Sequence, residues 1–194
     1  MRSRFHIDWV FHNDPSVDIA AIPFGLDLNT DDVKTIPPAL FLAKSQLEEL
    51  QDMFFLSYQP GLEPRQRVVP VIRTGTVSMI QVDQTFYLDA FAFPGNSGSP
   101  VFVKPVPARI QQGGISIGDP LAGKFAGVVG EYLPYSELAI SVQTGRPRVV
   151  FEENTGLARV WPLKFVNEIQ SSVPFKEQCK RLAPSEDTPS PSAL

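Results

Sequence analysis

Apolar positions in this chain fall into short runs bounded by glycine, proline or asparagine. Phe54-Phe55-Leu56-Ser57-Tyr58, Gly75-Thr76-Val77-Ser78-Met79-Ile80, Phe86-Tyr87-Leu88-Asp89-Ala90 and Val101-Phe102-Val103 are the clearest. Runs of this length, rich in β-branched and aromatic residues and punctuated by turn formers, predict strands rather than helices. Residues 125–132 and 154–161 read the same way, as do residues 9–11, 17–23, 35–42 and 68–72 nearer the start. Helical spacing is confined to a polar piece at 44–50 and to 165–171, where Val166 and Ile169 fall on one side. Residues 61–66 and 105–122 have loop composition, and 183–194, with its Pro, Ser, Glu, Asp and Thr, reads as a disordered tail.

The fold class expected is therefore all-β with a short C-terminal helix. The 194 residues suffice for one good-sized domain or two small lobes. Nineteen prolines, thirteen glycines and fourteen phenylalanines favour many short strands and turns. A net charge of −4 with no basic stripe argues against nucleic acid as a partner. No apolar stretch approaches the ~20 residues of a membrane span, so no membrane partner is expected. With one cysteine, Cys179, and two histidines, His6 and His12, the chain can form no internal disulfide. It also carries no recognisable metal ligand set, and no cofactor is expected. Met1-Arg2-Ser3-Arg4 is followed by no apolar signal core, which leaves the compartment open with the cytoplasm as default.

One stretch suggests chemistry. In Phe93-Pro94-Gly95-Asn96-Ser97-Gly98-Ser99-Pro100 a serine stands between glycines, after one apolar run and before another. A tight turn of this kind exposes a nucleophile at a strand end. It also leaves the N–H groups of Gly95 and Ser97 outside any ladder, as an oxyanion hole requires. The plain alternative is a glycine-rich hairpin with Ser97 merely solvated. Gly-Asn-Ser-Gly-Ser-Pro-Val resembles the nucleophile loop of trypsin-like (chymotrypsin-fold) serine proteases, in the bacterial form with asparagine before the serine. Asp18-Ile19-Ala20 resembles the segment that carries the triad aspartate; on three residues the equal alternative is an Asp18 that simply ends a turn. Phe55 to Gly61, Arg73 to Val77 and Asn154 to Trp161 resemble further strands of that family, in the same order.

The resemblance implies a two-lobe double β-barrel, with residues 1–62 the remainder of the first barrel and 63–182 the second with its terminal helix. It implies a serine endopeptidase acting through an acyl-enzyme on a polypeptide substrate. Ser97 would be the nucleophile, Asp18 the group that orients the base, and the N–H groups of Gly95 and Ser97 the oxyanion donors. The strand after the serine loop would form a wall of the cleft, which makes Gly130, Glu131 and Tyr132 the expected substrate contacts. Asn96 replaces the aspartate that pairs with a newly cut N-terminus in animal zymogens, so no such activation step is implied. The family's order is His, Asp, Ser, yet only seventeen residues precede Asp18. His12 and His6 leave no room for the intervening strands. The expectation is an incomplete first barrel that lacks the catalytic histidine, giving a form with little activity of its own. The competing expectation is a protease-like module that binds peptides without cutting them.

Overall fold

Strand β3 (Asp52–Ser57) shows how the sequence makes the core: Met53, Phe55 and Ser57 are buried, while Asp52, Phe54 and Leu56 face partly outward. That strict alternation is the period of a strand with one buried face. The computed structural model describes residues 7–27, 30–58, 70–111 and 114–182. The connector expected at 61–66, the tail at 183–194 and His6 lie outside them.

The chain divides into two compact units. One comprises residues 36–163, the other residues 1–35 together with 164–194. In the larger unit β3 pairs antiparallel with β4 (Val71–Ile80), which pairs with β5 (Phe86–Asp89). On its other side β3 pairs with β6 (Pro100–Val103), and β6 with β9 (Phe125–Ile140). Strand β10 (Pro147–Pro162) joins β9 to β5 and closes a six-stranded barrel. Between β6 and β9 a separate hairpin forms from β7 (Ala108–Gln111) and β8 (Gly114–Ile117).

The barrel interior is filled by Met53, Phe55, Val77, Phe86, Leu88, Val101, Val103, Val129 and Val160, each nearly inaccessible to solvent. Each such side chain contributes about 1.5–3 kcal/mol relative to exposure. Outside, Phe102 stacks on Phe54 and meets Phe125, both at 5.4 Å between ring centres, and Phe125 meets Phe41 at 5.9 Å.

Several expectations are corrected here. Among the described residues the strands form one closed barrel, and β3, placed by the sequence in residues 1–62, is one of its strands. Among the described residues of the smaller unit the strand pairing is a two-residue ladder, β1 (Val10–Phe11) with β2 (Ala20–Ala21), in place of the longer strand expected at 17–23. Residues 35–42 are not a strand. Pro37 and Pro38 break the pattern, and Pro38–Leu40 make a 3-10 turn before a single bridge from Phe41 to Phe125. The polar helical piece is a second 3-10 turn, Lys44–Gln46. Helix α1 (Leu163–Ser171) is longer than expected by two residues at its start, and α2 (Val173–Leu182) follows it.

Candidate functional site

The serine loop is built from two successive turns. Asn96 N–H donates to the Phe93 carbonyl at 2.9 Å, closing a turn with Pro94 and Gly95 in its centre. Gly95 has φ +96°, the third-position geometry of a type II turn, for which proline followed by glycine is the signature. Ser99 N–H then donates to the Asn96 carbonyl at 3.0 Å, closing a second turn over Ser97 and Gly98, the latter at φ +82°. A side chain at either glycine would be forced into the left-handed region, at a cost of about 1–2 kcal/mol.

Asn96 is the keystone of the loop, and it is fully buried. Its Oδ1 accepts the Phe93 N–H at 3.0 Å, while its Nδ2 has no acceptor. Downstream, Gly98 N–H donates to the Val129 carbonyl at 2.7 Å and Val129 N–H donates to the Ser99 carbonyl at 2.9 Å, so the second turn is fastened to β9. Upstream, Asn154 Nδ2 donates to the Ala92 carbonyl at 2.6 Å, and Ala90 N–H to the Gly156 carbonyl at 2.7 Å. Ser97 itself is exposed. The amides of Asn96, Gly98 and Ser99 are occupied in these bonds, whereas those of Gly95 and Ser97 enter no backbone pairing among the described residues.

Beside the turn, Phe91 and Phe93 stack with ring centres 6.4 Å apart, and the Arg73 guanidinium lies 5.0 Å from the Phe93 ring.

The three residues expected as a cleft wall lie in succession on β9, each in different surroundings. Gly130 is buried against Trp161; a Cβ there would run into the indole Nε1 and Cδ1. Glu131 faces Arg159 at 3.4 Å. Arg159 also reaches Asp83 at 3.4 Å and lies 4.4 Å above the Trp161 ring. Burial raises the Asp83 carboxyl, but hydrogen bonds from Thr85 and the charge of Arg159 outweigh it and hold the group below its ordinary value. Tyr132 is half-buried and packs on the barrel core.

Asp18 belongs to the smaller unit, where it is exposed just before β2. His12 lies in the same unit, and Glu168 on α1 is the carboxylate it meets, with Nε2 2.7 Å from Oε2. His12 Nδ1 accepts the Asp14 N–H at 3.1 Å, which places the ring proton on Nε2, toward Glu168. Phe165 packs edge-on against the ring at 5.6 Å. Hydrogen bonds from the Ser16 hydroxyl and amide, with His12 adding to them, hold the Asp14 carboxyl below its ordinary value. Both imidazole nitrogens are thus committed, and the ring serves as a clasp between a turn and a helix. Sequence reasoning assigned His12 to a turn but gave no sign of Glu168, which is 156 residues away.

No family model, curated protein or solved structure matches this chain.

Proposed function

We propose that this chain carries the serine loop and catalytic-side barrel of a trypsin-like serine endopeptidase. The observation that carries this reading is the Phe93–Pro100 turn pair. It presents an exposed Ser97 between two barrel strands and leaves the Gly95 and Ser97 amides unspent. In the reaction, Ser97 Oγ attacks a peptide carbonyl and its proton passes to a general base. The tetrahedral oxyanion accepts hydrogen bonds from Gly95 and Ser97, and collapse expels the amine and leaves an acyl-serine that water hydrolyses. Asp18 remains the proposed orienting carboxylate for that base. With the His12 imidazole committed to Asp14 and Glu168, the serine is a weak nucleophile, and the chain by itself has little activity.

A second reading is favoured by one observation. His12, with both nitrogens committed, is no free base. In that reading the barrel binds an extended peptide along β9 near Gly130 to Tyr132 without cutting it. A fluorophosphonate probe separates the two. Labelling of Ser97 that is lost in Ser97→Ala supports the endopeptidase. Absence of labelling, with retained binding of extended peptides, supports the module. If labelling occurs and His12→Ala abolishes it, the clasp role of His12 is wrong.

A further inference from the structure

Strands β9 and β10 run far beyond the barrel. Their inner halves pair with β6 and β5, but residues 135–140 and 147–153 pair only with each other among the described residues. A lone two-stranded ribbon is marginally stable in water. This one is also apolar: Tyr135, Leu138, Val149, Val150 and Phe151 are each 48–58 % exposed.

We propose that the outer ribbon pairs with a second copy of this chain, edge to edge through β10, making a four-stranded sheet across a two-fold axis. A two-fold normal to the sheet keeps every residue on its own face, so only residues of equal parity can stand opposite one another. Centring the axis on Val150 satisfies this and matches the sequence. Val150 meets Val150 of the second copy, Val149 meets Phe151, and Arg148 meets Glu152. Each aromatic–aliphatic and each opposite-charge pair then occurs twice, as an isologous interface requires. The β9 edge is the poorer choice. Each edge carries one proline, Pro134 and Pro147, but Glu137 is the lone charge from 133 to 140, so no charge pair selects a register on β9. Arg148 sits where the β9 register shifts and takes no β9 partner.

Sedimentation of the full chain at about 100 μM tests the proposal. The expected result is a dimer. Arg148→Glu or Glu152→Arg alone places like charges opposite at two places and weakens the dimer about tenfold or more, and the double exchange restores it. In a Cys179→Ser background, Val150→Cys crosslinks across the axis faster than Leu138→Cys on β9, with circular dichroism confirming that each variant is folded. A monomeric wild type overturns the proposal. So does a dimer indifferent to the single reversals, an exchange that fails to restore it, or Leu138→Cys crosslinking as fast as Val150→Cys.

Discussion

Replacing Asn96 by aspartate changes one atom type at a fully buried position and tests how the serine turn is held. One carboxylate oxygen retains the bond from Phe93 N–H, and the other takes the place of Nδ2, which has no acceptor. The neutral acid is thus nearly isosteric and nearly neutral in effect. The carboxylate is a buried charge with a single donor, and burial pushes its pKa upward. In the unfolded chain the new side chain ionises near pH 4, while in the fold it holds its proton. Stability is therefore untouched below pH 4 and falls as pH rises above it, by about 1.4 kcal/mol per unit until the folded group ionises. Between pH 4 and 7 this amounts to at most about 4 kcal/mol, since protonation always offers the cheaper route. Urea unfolding at half-unit steps from pH 4 to 7.5 measures the difference from wild type. Asn96→Ala is the control: it leaves the Phe93 N–H unpaired at about 1–3 kcal/mol, independent of pH. A difference for Asn96→Asp that stays flat across this range would show that the side chain is hydrated, and the account of the turn would fail.

Other consequences are equally direct. Gly130→Ala drives a methyl group into the Trp161 indole and is expected to cost about 1–3 kcal/mol, with a changed near-ultraviolet dichroism of the tryptophan; an unaltered melting temperature would refute the contact. Thr85→Val removes a buried donor to Asp83. Because the folded Asp83 pKa is lowered, its stabilisation is complete above the ordinary carboxylate value of 3.8 and lost as pH falls through the folded value. The gap between wild type and Thr85→Val, seen in denaturant unfolding, should accordingly be present at pH 6 and shrink toward pH 3. Glu168→Gln keeps an acceptor for His12 and should change stability little, whereas Glu168→Ala should cost about 1 kcal/mol by thermal melting.

The barrel was legible where a strand has one wet face and one dry one. Met53, Phe55, Phe86, Leu88, Val101 and Val103 alternate with more exposed neighbours, and each belongs to a strand expected from sequence. The serine turn was legible because Pro-Gly and Ser-Gly are turn signals in themselves. The outer ribbon was not, since residues exposed on both faces carry no period to read; residues 133–140 and 147–153 gave no alternation between core and solvent. Helix α2 was hidden by Pro174, which reads as a breaker but is tolerated in a first helical turn. Long-range polar partnerships left no local trace either. Nothing near Asn154 announces that it holds Ala92, and nothing near His12 points to Glu168. The placing of β3 was hidden for a related reason: it gains its partners β4 and β6 from opposite sides, and only pairing reveals that.

The two bonds that join the serine turn to Val129 also fix when the site comes into being. β5 and β6 flank the turn closely in sequence, but its anchor arrives later along the chain, on β9, which pairs with β6 and is joined to β5 through β10. Pairings so distant in sequence form late, because the entropy of closing large loops must be met before they contribute. A half-folded chain therefore has the residues Gly95 to Ser99 without the shape they need. Ser97 acquires its setting in the same cooperative step that seals the barrel, so anything that unlatches β9 should dissolve that setting together with the closure of the barrel.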